Sequence, residues 1–403
     1  MSTRADAFAS LEGGDDGEPA AKLTLGWTTS LLTEGAQSYL REDSVFFTPD
    51  PTRDYVTEGY LNKLSLKLTP DVGDWLRLSY DGYVLSDGPR DAEIAYRTRE
   101  MFCEVMRGPL IVSLGRRIEN LGSNFFWEPL NILAPRKDEA DYLDSKGLRN
   151  GVDLAKVEYF FGRHSVQIAC SPVSGAGDLR SSRYGTLAKA YLSLNKFDVT
   201  AAVGFKGDGE RLWGFDLSTV IGLFEVHSVL SHSFRSARQQ PYEPWRTERT
   251  DGWQVIVGSL YGAGTKLILI GEYYHNHSGL GGNDWSSYAD FLGNIRDNGP
   301  RDPRLYAGLT LAGAVYKPTT MRRNYLFGHA SYELTSAITL SATTISSIDD
   351  GSIYFSPKVD WAPRSHVAAY CQATVSFGND LSVFGLNPTG GSLRVGVTVD
   401  YTK

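Results

Sequence analysis

The chain has 403 residues, with 40 Lys and Arg against 47 Asp and Glu, for a formal net charge of −7. That balance excludes a global basic field of the kind that holds nucleic acid. The three cysteines, Cys103, Cys170 and Cys371, stand far apart without CxxC or CxxCH spacing, which excludes a disulfide framework, a zinc knuckle and covalently held haem on this chain.

The first twenty residues, MSTRADAFASLEGGDDGEPA, are small, acidic and polar and read as a flexible N-terminal segment. They hold no apolar core for a leader peptide, so either the protein stays inside the cell or its leader has been replaced by Met1. No apolar run in the sequence approaches the ~18 residues of a transmembrane helix.

From residue 21 onward the dominant signal has period two. WLRLSYDGYVL places Leu76, Leu78, Tyr80 and Val84 on one side and Arg77, Ser79 and Asp81 on the other. HVAAYCQATVSF sets Val367, Ala369, Cys371, Ala373 and Val375 against Tyr370, Gln372 and Thr374. SLRVGVTVDYTK sets Leu393, Val395, Val397, Val399 and Tyr401 against Arg394, Gly396, Thr398 and Asp400. A strand with one apolar and one polar face sorts residues this way, and a helix does not. Such runs predict strands near 21–31, 55–68, 75–85, 97–106, 109–118, 153–162, 165–172, 184–194, 196–205, 212–221, 223–234, 252–261, 265–275, 323–333, 337–346, 351–361, 365–376 and 391–402. Many have close to the ~10 residues of a tilted membrane-spanning strand.

The connectors alternate in length. Short ones such as RGP, GRHS, NK, GAG and TS take turns with longer ones near 32–54, 86–96, 119–152, 173–183, 235–250, 276–322 and 377–390. Tight turns on one side and long loops on the other are the asymmetry of a bacterial outer-membrane barrel. RLYAGLTLAGAVY (304–316) could pass for a nineteenth strand, but counting it would break the alternation and leave the termini on opposite sides, so it is assigned to the loop 276–322.

The expected fold is therefore all-β: a single closed antiparallel transmembrane β-barrel of about 18 strands over 21–403, with short periplasmic turns, long extracellular loops and loops 119–152 and 276–322 as candidates for insertion into the lumen. Lipid on the apolar face requires every backbone polar group to be paired, and only a closed sheet does that. Charges in the polar register fit a hydrated lumen: Lys63, Lys67, Arg77, Asp81, Glu100, Glu104, Arg117, Lys156, Glu158, Lys189, Asp216, Glu225 and Arg394. Facing one another in a dry core they would each cost several kcal/mol unless paired. Trp27, Trp75, Trp253, Trp361 and Tyr401 sit at strand ends, where interfacial aromatic girdles lie.

One stretch interrupts the pattern. SLGRRIENLGSNFFWEPLNILAPRK resembles a pattern of Gram-negative outer-membrane porin-like and alginate-export-like families. In these a strand ends in G-R-[QR]-x-[IVL], followed by a glycine, aromatic residues and an N-P-like turn. Gly115, Arg116, Arg117, Ile118, Gly122, Trp127, Pro129, Asn131 and Pro135 stand at the matching places. GEYYHNHSGL (271–280) and RRNYLFGHASYEL (322–334) look like strand ends bordering the large loop of such barrels. The resemblance implies a cell outer membrane address, a lipid bilayer partner and passage of small polar solutes. Two departures are a leader that is not visible and a C-terminus in which Thr402 and Lys403 follow the aromatic Tyr401.

Arg117 and Glu119 are expected to face the lumen near the outer mouth. NFFW is too apolar for a water-exposed loop, so Phe125, Phe126 and Trp127 are expected to pack on the inner wall and to carry Arg136, Lys137 and Asp138 to a constriction. The alternative is an outward loop packed on its neighbours. The residues expected to line the pore are Lys67, Arg77, Asp81, Glu104, Arg117, Glu119, Lys156, Glu158, Lys189 and Arg394. In DWSSYADFLGNI (284–295), Trp285, Tyr288, Phe291, Leu292 and Ile295 have helical spacing and predict a short amphipathic helix. GGNDW and GGDDGE hint at calcium, but without the spacing of an EF-hand, and no metal or other cofactor is expected.

Two other functions compete with a solute channel. A barrel-wall hydrolase would need a nucleophile, a base and an orienting group; His227 and His232, five apart, fall on opposite faces, no GxSxG is present, and an enzyme is not expected. A barrel can also serve as a sheath around a periplasmic partner such as a multihaem cytochrome, whose haem motifs would lie on that partner. The basic residues Arg116, Arg117, Arg136, Lys137, Arg322 and Arg323 near the loop bases lean the expected selectivity toward anions.

Overall fold

The computed structural model describes residues 23–41, 44–46, 56–87, 93–119, 122–133, 144, 146–174, 182–207, 209–239, 247–264, 266–298, 309, 312–313 and 316–402. Residues 1–20 lie outside them. The elements in chain order are β1 (Leu23–Leu40), β2 (Val56–Val72), β3 (Leu76–Asp87), β4 (Glu93–Arg107), β5 (Leu110–Arg117), β6 (Val152–Phe161), β7 (His164–Ser174), β8 (Ser182–Leu194) and β9 (Phe197–Lys206). Then come β10 (Arg211–Ile221), β11 (Phe224–Gln239), β12 (Thr247–Ala263), β13 (Leu267–Asn276), α1 (Gly282–Asn298), β14 (Asn324–Thr335), β15 (Ile338–Ser347), β16 (Ile353–Arg364), β17 (Val367–Phe377) and β18 (Thr389–Thr402).

Every strand pairs antiparallel with its sequence neighbour, and β1 also pairs with β18, so the 18-stranded sheet closes on itself. At the seam Thr28 stands opposite Thr402 and Ala36 opposite Arg394. All eighteen predicted strands are present in order, and of the described positions of 304–316, Leu309, Ala312 and Gly313 are helical and Tyr316 is not, all in the loop between β13 and β14.

The alternation is carried by burial. Along β5, Leu110, Val112 and Leu114 are exposed while Ile111 and Ser113 between them are buried. Along β18, Leu393, Val395, Val397, Val399 and Tyr401 are all exposed. The exposed set is large and apolar on strand after strand: Leu64 and Leu66, Val166 and Ile168, Phe215 and Leu217. In water such a belt would aggregate, whereas against hydrocarbon it is the favoured surface. The opposite register holds Lys63, Asp81, Glu104, Lys156, Asp216 and Glu272, each buried inside the ring of strands. Trp27, Trp75, Trp361 and Tyr401 cluster toward the short-turn rim, where Trp27 and Tyr401 lie 5.1 Å apart across the seam. Trp253 lies at the long-loop end, packed with Trp213 and His232.

Strand ends depart from expectation at the long-loop rim. β1 was expected to end at 31 but runs to Leu40, and β11 and β12 replace much of the predicted loop 235–250. An 18-residue strand at ~3.3 Å per residue is longer than a tilted strand needs to cross an apolar band of ~25 Å. The excess leaves the membrane, and its outward residues Gly35, Gln37 and Tyr39 lose the apolar alternation that marks a lipid-facing strand.

Candidate functional site

Between β5 and β6 the chain leaves the wall. Gly115, near the end of β5, has φ +127, and a Cβ there would lie 2.2 Å from the Met101 carbonyl oxygen, so only glycine fits. Beyond it alternation separates the two arginines. Arg116 points outward and pairs with Asp153 at 2.8 Å, both at the surface. Arg117 points inward and binds Glu104 at 2.6 Å and Glu119 at 3.2 Å. Arg117 thus faces inward as expected, while Arg116, counted among the basic residues near the loop bases, faces outward.

Residues 122–133 cross to the inner face of β9–β14. The Ser123 amide and hydroxyl donate to the Asp216 carboxylate on β10, at 2.6 and 2.5 Å. The Phe125 and Phe126 amides donate to the two oxygens of Glu272 on β13. His227 on β11 reaches the same carboxylate, Nε2 to Oε1 at 3.0 Å. It does so over Gly258 of β12, where a Cβ would sit 2.5 Å from Nε2. Charge-assisted bonds from main-chain amides are strong in a low-dielectric interior.

Aromatic packing closes the contact. Phe126 stacks on Phe327 of β14 with ring centroids 5.1 Å apart. Trp127 stacks on Tyr274 of β13 at 4.7 Å, and its indole N–H donates to the Thr319 carbonyl at 3.0 Å. Leu130 presses on β10 so closely that a Cβ at Gly214 would lie 2.5 Å from its methyl group, and Ile132 does the same to Gly204 at 2.4 Å. An inward glycine in a strand marks such a close approach.

The returning limb, 144–150, lands on the opposite wall by charge. Asp144 pairs with Arg99 of β4, which also binds Asp81 of β3 at 2.8 Å. Lys63 of β2 donates to the carbonyls of Lys146 and Gly147 at 2.6 and 2.9 Å. Lys146 pairs with Glu34 of β1 at 2.5 Å. Arg149 binds Glu128 at 2.8 Å and so ties the two limbs together.

Of the residues expected to line the pore, Glu104, Arg117, Glu119, Lys156 and Glu158 form one network, with Lys156 at 2.8 Å from Glu119 and 3.8 Å from Glu158. Lys189 on β8 lies in the field of Glu158, Glu119 and Asp216. Asp81 belongs to the Arg99 group and Arg77 pairs with Asp71 at 2.9 Å. Lys67 and Arg394 occupy inward register positions and make no ion pair among the described residues. Phe125, Phe126 and Trp127 lie at the landing on β11–β14, while Arg136, Lys137 and Asp138 fall outside the described residues. Glu34, Glu272, Tyr274, Lys146 and Tyr370 were not anticipated; the inward glycines at 204, 214 and 258 were the sequence signal for a close approach.

A cap lies above the loop. The buried face of α1 (Trp285, Tyr288, Leu292 and Ile295) packs with Val45, Ala312, Val383, Phe384 and Leu386 from neighbouring loops. Phe291, placed on this face by its spacing, is only partly buried. Arg322 lies over the Trp285 ring at 4.6 Å with Asp349 and Asp350 at 3.9 and 3.8 Å. Burial pushes the Tyr288 phenol well above its ordinary pKa. Among the described residues no group of acidic, histidine or cysteine side chains is arranged to hold a metal ion.

No family description matches the sequence, and no curated protein is similar enough to pair with it. Solved structures do share its architecture. OccAB1 of Acinetobacter baumannii superposes with a TM-score of 0.59 at 6% identity over 94% of this chain and 96% of that one. OpdL of Pseudomonas aeruginosa gives 0.58 at 12% identity, over 94% and 98%. OccK2 (OpdF) of the same organism, solved with glucuronate, gives 0.56 at 8% identity, over 94% and 97%. The chain thus shares its closed 18-stranded fold with these structures, which include the outer membrane protein OpdK of Pseudomonas aeruginosa at a TM-score of 0.57 and 10% identity.

Proposed function

We propose that the chain is an outer-membrane channel of a Gram-negative bacterium, passing small polar solutes through a lumen narrowed by loop 118–151. The observation that carries this reading is a single loop bonded to two opposing inner walls of a barrel whose outer face is apolar. A loop held this way restricts the bore without closing the sheet, and fixed charges beside a narrow aqueous path decide what passes. The inward charges are largely matched, Arg117 with Glu104 and Glu119 and Arg99 with Asp81 and Asp144, and Arg116 faces outward. Matched charges favour polar solutes over a strong preference for anions. That OccK2 was solved with glucuronate, a small polar carboxylate, supports small polar or anionic solutes as the class to try first.

The same crossing weighs against a sheath, because a folded cytochrome needs a bore free of inserted chain. A hydrolase is disfavoured by His227, which is buried beneath Phe125 and bound to Glu272, away from any incoming substrate. The test is planar-bilayer conductance of the purified protein and of a variant in which a short Gly-Ser linker replaces 122–149. Discrete steps that grow on replacement are expected. Absence of steps, or equal steps from both proteins, overturns the reading.

A further inference from the structure

The limb that lands by charge has a contact beyond β1–β4, and it converges on one ring. Tyr370 of β17 lies flat against β18, on the backbone of Gly396, where a Cβ would sit 2.5 Å from the ring. Its hydroxyl meets the Glu34 carboxylate on β1, the same oxygen that Lys146 of the loop contacts at 2.5 Å. The Lys146 ammonium lies 5.5 Å above the ring, and the Lys358 ammonium of β16 lies 5.0 Å above it. Asp360 binds Lys358 at 2.8 Å. Four strands and the inserted loop therefore meet at a single aromatic side chain.

We propose that Tyr370 is the positioning residue of the constriction: seated on Gly396, it fixes Lys146 of the loop beside Lys358, and this pair sets the charge selectivity of the pore. This rests on the channel reading above. The physical case is that two ammonium groups over one ring repel each other unless something holds them. The ring face attracts both, and Glu34 holds one in place while Asp360 holds the other. A phenylalanine would keep the ring but lose the bond that orders Glu34. A side chain at 396 would lift the ring from its seat without altering any charge.

The wall beside this cluster explains why it matters. The inserted loop lands on β1–β4 and on β9–β14, and the wall between those two landings on the seam side is β15–β18. The inward residues there are mostly uncharged, among them Thr343, Ser356, Gln372, Thr374 and Ser392. Lys358, Gln372 and Arg394 lie in one cross-strand row, and Lys146 stands at its edge. A few charges on a neutral wall dominate the local field.

The experiment compares wild type with Tyr370→Phe, Gly396→Val, Lys146→Glu and, as a control inside the paired network, Lys156→Met. Zero-current potentials are read in bilayers under a potassium chloride gradient. Lys146→Glu is expected to move the potential toward cation selectivity. Tyr370→Phe and Gly396→Val should move it part of the way without altering any charge, and Lys156→Met should move it least. Tyr370→Phe combined with Lys146→Glu should fall short of the sum of the two single shifts. A wild-type potential in Tyr370→Phe and Gly396→Val together overturns the proposal.

A second readout does not need conduction. Trypsin cleavage after Lys146 in detergent-solubilised protein should accelerate in Tyr370→Phe relative to wild type. Unchanged cleavage also counts against the clasp. If wild type conducts nothing while cleavage still accelerates, the channel reading fails and the clasp stands.

Discussion

The two landings of loop 118–151 solve the same problem with different chemistry. On β9–β14 the loop offers neutral main-chain amides to two buried carboxylates and covers them with aromatic rings. On β1–β4 it offers side-chain charges and carbonyls to charged side chains, at a buried pair (Lys146–Glu34) and at a partly hydrated one (Arg99–Asp144). The first is dry and depends on shape. The second rests on charge, and its partly hydrated Arg99–Asp144 pair is open to screening by salt. A loop anchored by shape on one wall and by charge on the other is placed by both, and the two anchors can be weakened separately.

That contrast can be tested by breaking each side. The largest effect is expected from Trp127→Ala, which removes the Tyr274 stack and the bond to the Thr319 carbonyl. Truncating a buried tryptophan costs about 3–5 kcal/mol, and limited proteolysis within the loop should report it as much faster cleavage. Next comes Glu272→Gln, which leaves two amides and His227 competing for one neutral oxygen. Bonds to a charged acceptor are worth about 1.5–3 kcal/mol each, so open-channel noise should rise sharply and independently of salt.

Arg99→Met on the other wall should cost less, about 1–2 kcal/mol after discounting for hydration. Its effect should shrink between low and high salt, which separates the two landings in one titration of conductance against ionic strength. Arg116→Ala should be nearly silent, below about 1 kcal/mol, because its pair with Asp153 lies at the surface. Urea unfolding of the solubilised barrel checks that value. A large loss there would mean that the outer pair, not the inner network, secures the root of the loop.

The barrel was legible from sequence because lipid on one side and water on the other force period two at every strand. Val395, Val397 and Val399 carry that signal plainly. It fades where the outer end of β1 leaves the membrane, at Gly35 and Gln37, and so the strand was expected to stop near 31. NFFW announced a loop that needed cover, yet its cover is Glu272, Tyr274 and Phe327, some 150 to 200 positions onward by number. No local pattern links residue 125 to residue 272. Tyr370 was assigned to the polar face of its strand, but that it rests on Gly396 and meets Glu34 follows from β17, β18 and β1 being neighbours, a fact of closure rather than of any one strand.

Closure has a consequence for how the molecule is made. The seam joins Thr28 to Thr402, partners 374 positions apart, and contacts so remote form late because the intervening chain must first be ordered. Before they form, the sheet is an open, curling ribbon whose two free edges can each recruit a wrong neighbour. The strap between β5 and β6 must already lie on the concave side as the ribbon rolls up, since the finished wall has no lateral door. The last hairpins thus act as the lid of a box already packed, and an error in stowing the strap would be sealed in with it.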